Sequence, residues 1–157
     1  MPNEMSDVVV VDDDLALLSV LAEVLSERGY LVRTASDGLS ALAIIQERVP
    51  DILISDLNMH GMSGFELLPI ILRRFPTIAV IAMSGEYPGT VVSPGVAADG
   101  FYAKGSNSVE RLLEILRDIA DEEIRRSRRA ATPILMPGQR AGARSEAQQS
   151  ASGSTET

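Results

Sequence analysis

Short apolar runs alternate with stretches of helical periodicity along most of the chain. Five such runs predict β-strands, and they cover residues 8–11, 30–35, 52–55, 78–83 and 100–103. Most of them have no alternating polar residues, which is typical of strands covered on both faces of a parallel sheet. We therefore expect a sheet whose strands are joined by helices that pack on its two faces.

Apolar residues at helical spacing predict four helices, which begin near Leu15, Leu39, Gly64 and Ser106. Gly29, Pro50 and Pro76 follow the first three helices and mark their ends. Pro69 lies inside the third helical pattern and should kink that helix or delay its start. The last helix runs to about Arg129, and its predicted buried stripe consists of Val109, Leu112, Leu113, Leu116 and Ile119.

Two later segments interrupt this regular alternation. Prolines and glycines break residues 86–98, between the fourth and fifth strands, so the helix expected there is irregular. From residue 131 onward the chain is rich in Ser, Gly, Ala and Gln and has almost no apolar periodicity. We predict one folded domain over residues 1–130 and a disordered tail over residues 131–157.

The alternation of strands and helices predicts an α/β fold with a doubly wound, five-stranded parallel sheet of the flavodoxin-like type. Because crossovers between parallel strands are right-handed, the carboxyl ends of the strands meet at one edge of the sheet. The loops at that edge bind ligands in open α/β sheets. Polar residues at the strand ends are therefore the candidates for a functional site.

The amino-acid composition excludes several classes of protein. The chain has no cysteine, which excludes a disulfide framework, a thiolate metal site and a thiol nucleophile. Its net charge of −8 divides into −11 for residues 1–122 and +3 for residues 123–157, and an acidic folded part repels nucleic-acid phosphates. No apolar run is long enough to span a bilayer, and no basic region precedes the first run. We expect a cytoplasmic protein that contacts neither membranes nor nucleic acid directly.

Acidic, hydroxyl and ammonium groups follow four of the five predicted strands. They are Asp12 and Asp13 after the first strand, Asp56 after the third, Ser84 after the fourth and Lys104 after the fifth. Three carboxylates in one place repel each other unless a divalent cation binds them, and oxygen ligands without cysteine suit Mg²⁺. The hydroxyl and the ammonium group would then complete a site for an oxyanion.

Lys104 is the only lysine among 14 basic residues, and the others are arginine. A chain so biased toward arginine is expected to use lysine where a compact ammonium group is required, as at a tight phosphate site. Asp14, the third acid after the first strand, is interpreted as the cap of the first helix rather than as a ligand.

With these residues, the chain from residue 7 to about residue 122 resembles a response-regulator receiver domain of two-component signalling, in the CheY-like superfamily, and is similar to the stand-alone chemotaxis receivers. The resemblance implies that Asp56 is the phosphoacceptor and that Ser84 and Lys104 bind the phosphoryl group. The implied ligands of Mg²⁺ are Asp12, Asp13, Asp56 and the backbone carbonyl of Asn58.

The function implied by the resemblance is that of a single-domain response regulator. Such a protein accepts a phosphoryl group on Asp56 from a sensor histidine kinase or a phosphotransfer protein, and acts on a downstream protein partner. It is not an enzyme in the usual sense, because it catalyses only its own phosphorylation and dephosphorylation. Phe101 takes the place of the family's aromatic switch residue, and residues 86–98 are expected to become ordered on phosphorylation.

His60 and Gly105 depart from the family pattern, because both stand where proline is usual. His60, the single histidine, is interpreted as an exposed loop side chain rather than as a metal ligand or a phosphohistidine. Three other functions remain open: a pseudo-receiver that binds partners without phosphorylation, an α/β phosphatase with an aspartate nucleophile, and a flavodoxin-like cofactor binder. The phosphatase is disfavoured because Asn58 replaces its second Asp, and the cofactor binder because carboxylates occupy the place of a phosphate-cradling loop.

Overall fold

The computed structural model describes residues 6–85, 98–105 and 108–131, and side chains up to residue 125. Within these ranges the chain forms five strands and four helices, namely β1 (Asp7–Val11), α1 (Leu15–Glu27), β2 (Leu31–Ala35), α2 (Gly38–Glu47), β3 (Ile52–Asp56), α3 (Gly64–Arg74), β4 (Ala79–Ser84), β5 (Gly100–Ala103) and α4 (Val109–Ala131). All neighbouring strands are parallel, in the order β2-β1-β3-β4-β5. This arrangement confirms the predicted doubly wound sheet.

The register of the strands brings their carboxyl ends to a common level. The paired residues at that level are Val11 with Ser55, Asp56 with Met83, and Ser84 with Ala103. Because β1 and β3 lie side by side near the middle of the sheet, the residues that follow them emerge next to each other. The order of the strands in the sheet, rather than their order in sequence, therefore determines which polar groups meet.

Apolar side chains form one core on each face of the sheet. One core joins alternate residues of the strands, such as Val10 and Ile54, to α1 and the first part of α4. The other joins the intervening residues, such as Val11 and Leu53, to α2 and α3. The continuous apolar runs of β1, β3 and β4 are buried on both faces, as predicted. Burial of these strands fixes the sheet edge on which the polar residues lie.

The boundaries of α1, α2 and α3 agree with the sequence signals. Asp14 caps α1 by accepting a hydrogen bond from the backbone N–H of Leu17, as predicted. Of the two effects expected of Pro69, a delayed start of α3 does not occur, because this helix begins at Gly64, and a kink stays a prediction. The carbonyl of Ser63 already accepts from the N–H groups of Glu66 and Leu67, so the first turn forms before the proline is reached.

Several of the predictions made for the later part of the chain fall outside the described residues. The irregular segment at 86–97 and the tail from residue 132 are among them, whereas the last helix begins at Val109 and not at the predicted Ser106. Backbone packing divides the chain into two units, Met1–Ile119 and Ala120–Thr157, and the boundary falls inside α4. The proposed division at residue 130 stays a prediction.

The described ranges contain no helix that combines the length and the apolar character required to cross a membrane.

Charged side chains link β1, β2 and α2 at the amino edge of the sheet. The carboxylate of Asp7 accepts from Arg33 at 2.9 Å and from Arg48 at 2.7 Å. Arg33 also donates to the carbonyl oxygens of Ile44 and Arg48, at the end of α2. Because Arg33 is mostly buried and bonded to three partners, this cluster anchors β1 and β2 at the edge opposite the candidate site.

Gly64 allows α3 to begin directly against the end of β3. A Cβ atom at Gly64 would collide with the backbone oxygen of Asp56 and would lie 2.8 Å from the Cα atom of Leu57. The Gly64 N–H group donates to the Leu57 carbonyl at 3.1 Å, which holds the two segments together. The absence of a side chain at Gly64 therefore positions the backbone of Asp56.

Replacement of Gly64 by alanine should lower the free energy of unfolding by about 2–3 kcal/mol, because the added methyl group overpacks rigid backbone. Denaturant unfolding measures this change. Gly61→Asn in the preceding loop is the control, since Gly61 has φ of 74° and a Cβ atom there would have no neighbour within 4 Å. Asparagine tolerates this backbone conformation, so the control should lose less than about 1 kcal/mol. Equal losses in the two variants would contradict the packing argument.

Candidate functional site

The five candidate side chains lie together at the carboxyl edge of the sheet. Asp12 follows β1 and is fully buried, Asp56 ends β3 and is 3% exposed, and Ser84 ends β4 and is fully buried. Lys104 follows β5, and Asp13 lies beside Asp12 with partial exposure. The topology places these polar groups at the surface end of an otherwise apolar core.

Lys104 connects two of the three carboxylates. Its Nζ atom lies 2.9 Å from Oδ2 of Asp12 and 3.3 Å from Oδ2 of Asp56. Burial by itself lowers the pKa of Lys104, but the hydrogen bond to Asp12 and the charges of both carboxylates outweigh it and raise this pKa above its ordinary value. Lys104 is therefore protonated, and its ammonium group is held between the ends of β1 and β3.

Asp56 carries an incompletely neutralised carboxyl group. Burial and the charge of Asp12 raise the pKa of Asp56 to about 6, although Lys104 offsets part of this effect. Oδ2 is paired with the ammonium group, whereas the buried Oδ1 has no hydrogen-bond partner among the described residues. A buried carboxylate oxygen without a donor is unfavourable unless a ligand supplies the missing interaction.

The three carboxylates fit a hard divalent cation. Asp12, Asp13 and Asp56 each offer an oxygen, and these oxygens lie within 4.8 Å of one another. The unpartnered Oδ1 of Asp56 supplies an independent reason for a cation here, because a metal ion would satisfy it. An all-oxygen set with net negative charge suits Mg²⁺ rather than a thiolate-binding metal.

Asp13 is linked to the loop between β3 and α3. Its Oδ2 atom accepts from the backbone N–H of His60 at 3.2 Å and lies 2.8 Å from Nδ1 of the His60 ring. Partial burial works to raise the pKa of Asp13, but the bonds and charge of His60 hold it below its ordinary value. The same loop therefore carries Asp56 at its start and a partner for Asp13 four residues later.

Asn58 reaches the end of β4. Its side-chain Nδ2 donates to Oγ of Ser84 at 3.3 Å, so the loop after β3 also contacts the hydroxyl group of the site. The prediction that the backbone carbonyl of Asn58 binds a metal ion stays a prediction. The roles of Ser84 and Lys104 in binding a phosphoryl group also stay predictions, although both side chains lie at the carboxyl edge of the sheet, as expected.

Phe101 lies in β5, and Gly105 directly follows Lys104. Phe101 is buried and packs in the core on the α2 and α3 face. Gly105 has φ of 83°, a left-handed conformation that glycine adopts without strain, and the described residues contain no cis peptide bond. The backbone after Lys104 thus turns through a glycine where the family pattern has proline.

The side chain of His60 is 98% exposed, which confirms the prediction of an exposed loop side chain. Its contact with Asp13 was missed, because no periodic signal places a residue of one loop beside a residue of another. The only available hint was that a single histidine follows Asp56 in the loop at the carboxyl edge.

Replacement of Asp56 by asparagine should stabilise the metal-free domain at pH 8 by about 1–3 kcal/mol, since it removes one of three mutually repelling carboxylates. Thermal unfolding in EDTA measures the change. Lys104→Met removes the positive group instead and should destabilise the domain, because Asp12 and Asp56 then lose the ammonium group that they share. A loss of stability in Asp56→Asn would mean that the single ammonium group already compensates all three acids.

Millimolar Mg²⁺ should raise the melting temperature of the domain, because a ligand that binds only the folded state stabilises it by about 1 kcal/mol at about five times its Kd. Asp13→Ala removes one of the three oxygen donors and should suppress this rise. An equal rise in the variant would show that the ions act elsewhere on the acidic surface.

Proteins of one known family are similar to this chain in sequence and in fold. The family model described as the response regulator receiver domain matches residues 8–117. The nitrogen assimilation regulatory protein NtrX of Azorhizobium caulinodans is 33% identical over 144 residues, which cover 84% of this chain and 31% of that protein. The regulator NtrC of Salmonella typhimurium is 40% identical over 77 residues, which cover 49% of this chain and 16% of that protein. The chain spans about a third or less of the length of these curated relatives.

Solved structures of similar proteins agree with this match. The chemotaxis response regulator CheY4 of Vibrio cholerae superposes with a TM-score of 0.65 at 30% identity, covering 74% of this chain and 99% of that one. The response regulator TrrA of Thermotoga maritima, in complex with Mg²⁺ and BeF, gives a TM-score of 0.65 at 30% identity, covering 73% and 98%. Since the family model covers most of the sheet and both of its helical layers, this chain belongs to the response regulator receiver domain family.

Proposed function

We propose that this chain is a phosphorylation-controlled switch that accepts a phosphoryl group on Asp56, with Mg²⁺, from a sensor histidine kinase or a phosphotransfer protein. The observation that carries the proposal is the environment of Asp56. Its carboxyl group is nearly buried at the end of a central strand, one oxygen faces the Lys104 ammonium group, and the other has no partner among the described residues. Membership of the receiver family supports the same role.

The proposed reaction is an in-line transfer between two protein side chains. An oxygen of the Asp56 carboxylate attacks phosphorus, and the new O–P bond forms as the P–N bond of the donor phosphohistidine breaks. The bonding electron pair leaves with the ring nitrogen, and proton uptake by the donor imidazole balances it. The product is an acyl phosphate on Asp56, which water later hydrolyses.

The chain supplies charge stabilisation for this transfer. Lys104 already lies 3.3 Å from Oδ2 of Asp56, so its ammonium group is close to where the equatorial phosphoryl oxygens would lie. The hydroxyl group of Ser84 accepts a hydrogen bond from Nδ2 of Asn58 and would donate its own hydrogen to one of these oxygens. A fixed ammonium group and a fixed hydroxyl require little rearrangement during the reaction.

Asp12, Asp13 and Asp56 would hold the metal ion, and the Asn58 carbonyl is proposed as a further ligand. When bound, a divalent cation neutralises negative charge on the carboxylates and on the incoming phosphoryl group. The chain itself contributes the orientation of the three acids, because Lys104 fixes Asp12 and the His60 backbone fixes Asp13.

The proposed output is a change in contacts with a downstream protein. Phosphorylation adds about −1.5 to −2 charges at pH 7, which alters the local field and the hydrogen bonds at the carboxyl edge. We infer that the chain acts on no substrate beyond its own Asp56, and that its partners are proteins rather than membranes or nucleic acid. The strongly acidic folded part is consistent with this choice of partner.

Incubation with a small acyl phosphate and Mg²⁺, followed by intact mass measurement, tests the proposal. The wild-type chain should gain one phosphoryl group, and Asp56→Asn should gain none. Asp37→Asn makes the same chemical change at the N-cap of α2, outside the group of three carboxylates, and should be phosphorylated like the wild type.

Two results would overturn the assignment. If Asp56→Asn still gains a phosphoryl group, with the label found on Asp12 or His60 by peptide mapping, another residue is the acceptor. If neither the wild-type chain nor Asp37→Asn is labelled by the acyl phosphate or by a phosphorylated kinase, the chain is a pseudo-receiver that signals through binding alone.

A further inference from the structure

Helix α3 has a line of exposed apolar side chains on its outer face. Phe65 is 40% exposed, Leu72 is 37% exposed, and Pro69 between them is exposed as well. These positions are four and three residues apart, so they lie on one side of the helix and form a continuous stripe. The buried residues of the same helix, such as Leu67 and Ile71, face the core instead. The apolar stripe is therefore not needed to pack α3 against the sheet.

Helices α1 and α2 do not repeat this pattern. Their exposed large apolar residues are Leu15, Val20 and Leu39, and no two of these lie three or four residues apart on the same helix. Such scattered residues are ordinary on protein surfaces, whereas a contiguous apolar patch marks a site of interaction. Helix α3 therefore differs from α1 and α2 in having a face that is suited to contact another protein.

Charged residues beside the stripe indicate what that protein is. Glu66 lies in the first turn of α3 and Arg73 in the last turn, and both are exposed. Among the described residues, neither forms an ion pair with another side chain. Seven residues are almost two helical turns, so the two charges lie on the same side of α3 but about 10 Å apart, too far to pair with each other. A second α3 that runs in the opposite direction would bring an arginine to this glutamate and a glutamate to this arginine.

The positions of the apolar and charged residues specify one register for two such helices. The register that places Glu66 opposite Arg73 of the second copy also aligns the two stripes. Pro69 of each copy then lies against Leu72 of the other, and Phe65 lies near the carboxyl end of the other α3. Because the pairing has two-fold symmetry, each of these contacts occurs twice. The face is therefore complementary to itself in both apolar surface and charge.

We propose that the outer face of α3 is an interaction surface for a second copy of this chain, with the two α3 helices antiparallel. The 11 residues of α3 extend over about 16 Å, so the contact is smaller than the interface of a stable dimer. The net charge of −8 on each chain opposes association further. The dimer is therefore weak and forms only at high concentration. No step of the proposed phosphorylation is needed for it.

Sedimentation equilibrium of the full chain in about 0.15 M salt tests the proposal. The weight-average mass should rise from that of one chain toward that of two as the concentration is raised to about 1 mM. Leu72→Gln removes an apolar group from both halves of the symmetric contact and should weaken self-association at least about tenfold. Val20→Gln is the matched control and should associate like the wild type, because Val20 is 48% exposed on α1, which packs on the opposite face of the sheet.

Charge reversal tests the antiparallel register. Glu66→Arg and Arg73→Glu each place like charges opposite one another twice in the dimer, so each variant alone should associate at least about tenfold more weakly than the wild type. In an equimolar mixture, one variant contributes two arginines and the other two glutamates, which restores both pairs of opposite charge. The mixture should therefore associate within about threefold of the wild type. Since both residues are exposed, both variants should fold.

Three results would overturn the proposal. If the wild-type mass stays at one chain up to about 1 mM, no second copy binds, and another part of the chain or a different protein covers this face. If Leu72→Gln associates like the wild type, any contact between copies lies elsewhere. If the mixture of charge-reversed variants associates no better than each variant alone, the helices do not pair in the antiparallel register. The phosphorylation of Asp56 is measured separately by mass, so its failure would leave these results unaffected.

Discussion

The structure of this domain depends on how three carboxylates and one ammonium group share the edge of a parallel sheet. Buried carboxylates repel each other strongly, and a single cation cannot neutralise three of them. Lys104 bonds to Asp12 and Asp56, which come from neighbouring central strands, and so keeps them at a short distance. The order of strands makes this possible, because β1 and β3 are adjacent and β5 ends at the same level.

The incomplete neutralisation of the carboxylates supports the proposed role of this site as a phosphorylation switch. Natural proteins depart from optimal local energetics mainly at functional positions, and the raised pKa of Asp56 and its unpartnered oxygen are such departures. The apolar cores on both faces of the sheet hold the acids in place despite their repulsion. A cation or a phosphoryl group bound as proposed would therefore enter a site whose geometry already exists and whose charge is unbalanced.

The loop between β3 and α3 connects the different parts of the site through hydrogen bonds. Gly64 brings the start of α3 against the backbone of Asp56, and the short loop before it carries Asn58 and His60. These two side chains contact a hydroxyl group at the end of β4 and the Asp13 carboxylate after β1. One segment thus links three strands, so a change at Asp56 has a direct structural route to its neighbours.

The sequence by itself determined the strands, the fold class and the edge at which the polar residues gather. Those features follow from local periodicity and from the rule that parallel strands end together, so Asp56 and Lys104 could be placed without coordinates. Only the tertiary structure decided which side chains meet between separate loops, such as His60 with Asp13, and which charges pair at the opposite edge around Arg33. Such contacts depend on loop conformation and on distances between remote residues, which no hydrophobic pattern specifies.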